Sequence, residues 1–187
     1  MELVVKILSM LDHRGTWTLL GLLMGFFLNT YWNYRKDLKK QDTAKQVLLD
    51  ELRFNSRQSE DKIEILKEVI HALKMNRFLS PKCPSFSTIE FKSQFCIALP
   101  KLTTIEKDNL RHLHNYYVQV DELLSEFEAN FKADFDNLDK RNTTVESIYS
   151  SNVILLENIE ESLQNNLKLA QSTLEGNPID IFNHKMT

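Results

Sequence analysis

Residues 16–34 read TWTLLGLLMGFFLNTYWNY and make up most of the longest stretch of the chain without a charged side chain. As a helix rising about 1.5 Å per residue, this stretch would be roughly 28 Å long, close to the ~30 Å hydrocarbon core of a bilayer. Trp17 near one end and Tyr31, Trp32 and Tyr34 at the other are aromatic residues of the kind that lie at headgroup level. The stretch predicts one transmembrane helix, to which the rest of the chain is attached.

The residues before this stretch predict a short amphipathic helix. In MELVVKILSML, residues 1–11, apolar side chains recur with the spacing of one helical face, opposite Lys6 and Ser9. This segment is too short to span a bilayer, so residues 1–15 are predicted to lie in the membrane interface.

Basic residues follow the apolar stretch at once, at Arg35, Lys36, Lys39 and Lys40. By the positive-inside rule they place the C-terminal body on the cytoplasmic side of an inner (plasma) membrane. Attraction to anionic headgroups, about 1 kcal/mol per cation, accounts for the cluster. Membrane lipid, and not nucleic acid, is therefore the expected partner of these four residues.

The predicted cytoplasmic placement has two consequences for side-chain chemistry. Cys83 and Cys96, whose spacing fits neither a metal ribbon nor a redox pair, are expected to be reduced packing residues. The sequon at Asn142 is expected to carry no glycan.

The composition excludes most folds other than helical ones. Only 4 glycines and 4 prolines occur in 187 residues, and turns, sheets and phosphate-binding loops need these residues. We therefore predict an all-α chain in which the transmembrane helix continues into an elongated antiparallel bundle of three to four helices, over residues 35–176. A flexible tail is predicted over residues 177–187.

The charge of the chain is divided unevenly. Residues 35–111 carry 16 Lys and Arg against 11 Asp and Glu, whereas residues 112–187 carry 5 against 13. We favour an arrangement in which the two halves pack on each other and partly neutralise. The alternative is a basic surface for anionic lipid or nucleic acid and an acidic surface for a basic partner.

Apolar residues at 3–4 spacing predict three long helices. The first continues from the apolar stretch, since residues 35–79 contain neither glycine nor proline. Its seam passes through Asn55 and Ser59, so Asn55 is a register-fixing buried amide, a ligand contact or a point of thin packing. The predicted seams are Leu38, Leu48, Leu52, Ile63, Leu66, Ile70 and Leu73, then Leu110, Leu113, Tyr117, Val120, Leu124, Phe127, Phe131 and Leu138, then Val145, Ile148, Leu155, Ile159, Leu163, Leu167, Ala170 and Leu174.

A proline-rich segment separates the first two long helices. Residues 80–100 contain three prolines and a capping-box spacing at Ser87 and Glu90, which predict a short helix over residues 88–98. The segment is expected to cover the end of the bundle. The alternative is an exposed docking surface formed by Ile89, Phe91, Phe95 and Ile97.

Capping residues predict the limits of the other helices. Thr103 and Glu106 have capping-box spacing at the start of the second long helix. Gly176 and Pro178 end the third long helix, which begins near residue 144.

A motif within the apolar stretch predicts self-association. Gly21 and Gly25 form GxxxG, and Asn29 continues the same face. Small residues let two helices approach closely, and an amide on that face can form a hydrogen bond across the interface. In the alternative interpretation the glycines are incidental and Asn29 reaches toward the membrane surface.

The order of these features resembles a known protein group. A basic juxtamembrane stretch, LDELRFN at residues 49–55, a proline-rich break, and a long helix with Leu113 and the pair Tyr116 and Tyr117 are similar to bacterial single-span membrane proteins with a cytosolic helical domain. Their shared signature is roughly E-L-x-x-N after the anchor, and the resemblance covers about residues 17–127. It implies a bacterial origin and a cytosolic helical body, with no catalytic residue to carry over. Some proteins of this build belong to anti-phage systems.

No catalytic, cofactor or metal site can be assembled from the sequence. The glycines do not form a phosphate-binding loop, and His112 and His114, two residues apart on a helix, point to different faces. We therefore predict a non-enzymatic interaction module, a scaffold or sensor that binds a protein partner at the inner face of the membrane. The alternative is an effector of an anti-phage system that perturbs the membrane through oligomers of its transmembrane helix.

Overall fold

The structure, a computed structural model, describes residue 6, residues 14–138 and residues 144–181. It contains α1 (Arg14–Lys74), α2 (Ile89–Ala98), a 3₁₀ turn (Leu99–Lys101), α3 (Thr104–Asp136) and α4 (Val145–Leu174). Since these residues include no strand, the all-α prediction is confirmed. The predicted interfacial segment, apart from residues 6, 14 and 15, and the sequon at Asn142 lie outside the described residues.

The chain divides into two compact units, one ending at Thr43 and the other beginning at Ala44. Unit 1 contains the first part of α1, including the predicted transmembrane stretch as helix. Within the described ranges, no helix is both long enough and apolar enough to cross a membrane. The helical part of that prediction is thus confirmed, whereas its transmembrane part gains no support.

Unit 2 is a helical bundle around one hydrophobic core, as predicted. The seams predicted for the first two long helices are buried, except that Leu38, in unit 1, and Leu138 are only partly so. In α4 the predicted register is partly wrong, since Val145 and Leu155 are exposed while Leu156 is buried. Asn152 and Asn166, which interrupt the predicted seam, lie on the buried face of α4 because their amides donate to carbonyls of their own helix.

Helices α1 and α3 run parallel to each other. Lys45 of α1 forms an ion pair with Glu106 near the start of α3, and Lys62 forms one with Asp121 farther along both helices. Parallel helices cannot be joined by a short turn, so a segment between them must bring the chain back.

The returning segment is an extended strap, residues 77–88, followed by α2. Hydrogen bonds join Ser80 to Glu128, and Ser87 to Asn55, so the strap runs back along α1 and α3. The expectation that the proline-rich segment covers the end of the bundle is therefore wrong, because polar groups along α1 and α3 hold it lengthwise.

Helix α4 completes the bundle and runs antiparallel to α3. As α3 proceeds, its partners on α4 come from progressively earlier positions. The three contacts are Asn109 with Thr173, His112 with Asn166, and Tyr116 with the carbonyl of Ile159. The chain thus passes up, down, up and down, with the strap and α2 as the second element.

Helix α1 ends before the predicted position, at Lys74 and not at residue 79. Asn76 adopts the left-handed conformation, with φ of 55°. The amides of Asn76 and Arg77 donate to the carbonyls of Leu73 and Ala72, which is the Schellman pattern. Asn76 therefore performs at α1 the task that Gly176, with φ of 77°, performs after α4.

The tail is held at its beginning. The side-chain amide of Asn109 is fully buried and donates to the carbonyl of Ile179, and Ile181 packs against the core. The flexibility predicted for residues 177–187 stays a prediction, and residues 182–187 lie outside the described residues.

The end of α1 yields a stability prediction. Asn76→Ala is expected to lower the free energy of unfolding by about 1 kcal/mol, because alanine is strained at a positive φ, whereas Asn76→Gly is expected not to lower it. Urea unfolding of the full chain in mild detergent, followed by circular dichroism, measures both. The control is Met75→Ala, at the exposed residue just before Asn76. An Asn76→Ala variant as stable as the wild type would contradict the assignment.

Candidate functional site

The most unusual surface of the molecule is the apolar part of α1 in unit 1. Every residue from 17 to 37 is exposed, and large apolar side chains point outward all round the helix. Leu22 is 68% exposed, Phe26 67% and Phe27 65%. A helix with an apolar circumference requires a covering on all sides, because water solvates such a surface poorly.

Basic side chains follow this surface at the positions expected from the sequence. Arg35, Lys36, Lys39 and Lys40 are all exposed on α1. The aromatic rings of Tyr31, Trp32 and Tyr34, which precede them, are exposed as well.

The predicted self-association residues also lie on this helix. Asn29 is exposed, and a Cβ atom added to Gly21 or Gly25 would meet no other atom within 4 Å. The structure leaves this face open, and its self-association stays a prediction.

In unit 2 a buried carboxylate on α1 caps α2. Glu51, only 9% exposed, accepts hydrogen bonds from the backbone amides of Glu90 and Phe91 at 3.1 and 2.7 Å, and from the hydroxyl of Ser87 at 2.9 Å. These amides belong to the first turn of α2, where a negative charge is favourable. The capping box predicted at Ser87 and Glu90 is therefore wrong: the N-cap residue, Thr88, makes no side-chain capping bond, and Glu51 supplies the acceptor instead.

Asn55, one turn after Glu51, fixes the strap by hydrogen bonds from its side chain to the strap backbone. Its amide nitrogen donates to the carbonyl of Ser87 at 2.7 Å, and its oxygen accepts from the Ser87 amide at 2.9 Å. Of the three interpretations of Asn55, the buried amide that fixes a register fits this geometry. Glu51 and Asn55 are the polar residues of the E-L-x-x-N signature, and both hold residues 87–91.

Farther along α1, Lys62 also holds the strap. Its side chain is 1% exposed, and its ammonium group donates to the carbonyl of Pro84 and to Asp121. It also lies 4.4 Å from the centre of the Phe86 ring, while Asp121 accepts from the Phe86 amide. We call Glu51, Asn55, Lys62 and Asp121 the polar clamp.

Aromatic and hydroxyl groups pack beside the clamp. Tyr117 is buried against the ring of Phe86, and burial raises the pKa of its hydroxyl to about 12, although Ser59 and Ser56 oppose the shift. Ser59 is buried and donates to the carbonyl of Asn55. These groups serve the packing of α1 against the strap and α3.

The two histidines have separate surroundings. The ring of His114 stacks on Phe91 with 4.0 Å between centroids, and its pKa is lowered by burial and by Lys92. His112 contacts Asn166 of α4. Among the described residues, no three His, Cys, Asp or Glu side chains are placed to hold a metal ion.

A cavity of about 430 Å³ adjoins the strap, lined in part by Lys62, Cys83, Asp121 and Glu128. Three of the four charged side chains in its lining have partners, since Lys62 pairs with Asp121 and Glu128 accepts from Ser80. Burial raises the pKa of the Cys83 thiol, partly opposed by Lys62. We therefore assign the polar lining of this cavity to the fastening of the strap.

Ion pairs connect the basic and acidic halves of the sequence in the part of the chain that the structure describes. Lys62 pairs with Asp121, and Lys74 pairs with Glu157 at 2.7 Å. These contacts agree with the interpretation in which the halves pack on each other.

Sequence reasoning missed Glu51 and Lys62 as buried groups. Lys62 lies three residues after Ser59 and four before Leu66. This spacing places it on the buried seam of α1, and it is the sequence signal that could have identified Lys62 as buried. Glu51 gave no such signal, since a surface carboxylate beside the seam would have the same spacing.

Comparisons with protein families, with curated proteins and with solved structures found no match to this chain. The resemblance to bacterial single-span proteins therefore stays a prediction.

The clamp yields a second stability prediction. Glu51→Ala is expected to lower the free energy of unfolding by about 3 kcal/mol, because two backbone amides of α2 and the Ser87 hydroxyl lose their acceptor. Glu60→Ala, at an exposed position of the same helix, is the control and should change stability by no more than about 0.5 kcal/mol. Urea unfolding of the full chain measures both, and a loss below about 1 kcal/mol for Glu51→Ala would show that the cap contributes little.

Proposed function

We propose that the chain is a membrane-anchored, non-enzymatic helical interaction module, with residues 17–34 buried in a lipid bilayer and the helical bundle presented beside it. The observation that carries this proposal is the exposure of apolar side chains on every side of α1 in unit 1. A protein partner covers one face of a helix, whereas lipid covers the whole circumference. Lipid is therefore the simplest covering for this segment.

The ends of the segment support the same proposal. Trp17 lies at one end, and Tyr31, Trp32 and Tyr34 at the other, at about the separation of two headgroup layers. Arg35 and Lys36 follow directly. This order also supports an orientation in which the bundle lies on the cytoplasmic side of the inner membrane.

The bundle itself supports a structural role for its buried charges. Glu51, Lys62 and Asp121 are engaged with the strap and α2, and Glu106 closes the capping box of α3 while pairing with Lys45. Groups fastened in this way suit a rigid body that binds a partner on its surface. The partner we propose is another protein at the membrane.

The anchor is tested by making the apolar surface polar. Leu22, Leu23, Phe26 and Phe27 are exposed, and all four are changed to Gln. In bacterial cells the wild-type chain is expected in the carbonate-resistant membrane fraction and the variant in the soluble fraction, since each buried apolar side chain contributes about 1.5 to 3 kcal/mol.

The matched control changes four exposed apolar residues of the bundle to Gln: Phe54, Ile89, Leu123 and Ile154. This control should remain with the membrane. A wild-type chain in the soluble fraction, or a segment variant that stays with the membrane, would refute the anchor. Protease access to a tag after Thr187 in spheroplasts would refute the proposed orientation.

A second candidate function is membrane perturbation by oligomers of α1. It is favoured by the open face at Gly21 and Gly25, which would allow two helices to approach closely.

The double change Gly21→Ile and Gly25→Ile distinguishes the two functions. Because an added side chain meets nothing at either position, the bundle should keep its stability. If oligomers perturb the membrane, overexpressed wild type should depolarise cells and the double variant should not, as measured with a potential-sensitive dye. If the chain is an interaction module only, neither should depolarise them.

A further inference from the structure

The basic residues after the apolar segment occupy one side of α1. At about 100° per residue, Arg35, Lys36, Lys39 and Lys40 fall within about 140° of the helix circumference. Trp32 lies near the middle of this arc, one turn earlier. Asp37 lies on the opposite side of the helix, and Asp42 lies just beyond the edge of the arc. We call these four residues the cationic face.

The length of the cationic face matches a headgroup layer. Residues 35–40 rise about 8 Å along the helix, and the polar layer on each side of the hydrocarbon core is roughly 5 to 8 Å thick. All four cations are exposed, and the Trp32 ring beside them is 62% exposed. With residues 17–34 in the bilayer, the four cations lie within this layer.

From this geometry we infer that the cationic face binds the phosphate groups of anionic phospholipids, so that the chain prefers anionic to zwitterionic membranes. This inference rests on the proposed membrane anchor. A cation near an anionic surface gains about fivefold in binding, and four cations on one side act on the same patch of headgroups. Burial of apolar side chains does not depend on the charge of the headgroups. The cationic face therefore gives the anchor its selectivity for anionic lipid.

The experiment uses the full chain, diluted from detergent into preformed vesicles and then floated on a density gradient. One set of vesicles contains phosphatidylcholine alone, and the other contains about one third phosphatidylglycerol. The wild type is expected to favour the anionic vesicles by at least tenfold, and added salt should reduce this preference because it screens the charges.

Two variants with the same loss of charge separate the cationic face from net charge. Changing Arg35, Lys36, Lys39 and Lys40 to Gln should abolish the preference and leave flotation with phosphatidylcholine unchanged. The control changes one arginine and three lysines that are exposed on the bundle, and it should keep the preference. These control residues are Arg57, Lys67, Lys132 and Lys168.

The outcomes distinguish the inference from the proposal on which it rests. Equal flotation of the wild type with both vesicle types, or an equal loss of preference in the control, would overturn the inference and leave the anchor intact. Flotation with neither vesicle type would overturn both. Circular dichroism of each variant shows that its helices are retained.

Discussion

The arrangement of the bundle depends on the polar clamp that α1 and α3 apply to the strap. Helices α1 and α3 are parallel and pair from Lys45 to Lys62 of α1, a length of about 25 Å. The chain must therefore return over at least this length as a layer of its own. An extended strap leaves backbone groups without helical partners, and these must be satisfied when they are buried. Asn55, Lys62 and Asp121 supply those partners for Pro84, Phe86 and Ser87.

The clamp also explains why a lysine can be buried in a small bundle. An isolated ammonium group in an apolar interior is strongly unfavourable, but Lys62 has a carbonyl, a carboxylate and an aromatic ring around it. Such a site favours one position of the strap over its neighbours, because a shift by one residue would leave the charge without its carbonyl. We therefore infer that Lys62 helps to set the register of the strap.

The long helices and their apolar seams could be predicted from the sequence because 3–4 spacing reports directly which face is buried. The α3 seam from Leu110 to Phe131 is an example.

The path of the strap could not be predicted, since it depends on contacts between residues far apart in sequence, such as Phe86 with Asp121. The early end of α1 was missed because Asn76 replaces the usual glycine, and the α4 register was misassigned because Asn152 and Asn166 are buried by bonding to their own helix. At the candidate site, the apolar stretch and the cations were visible in the sequence.

The ion pair between Lys62 and Asp121 has a consequence for the order in which the chain can fold. During synthesis α1 and the strap are complete well before residue 121 emerges, so Lys62 then lacks its carboxylate and the Phe86 amide lacks its acceptor. These two contacts of the strap can form only after the first half of α3 has been made. The bundle therefore assembles through contacts of long sequence separation, which are slow to form in comparison with the helices themselves.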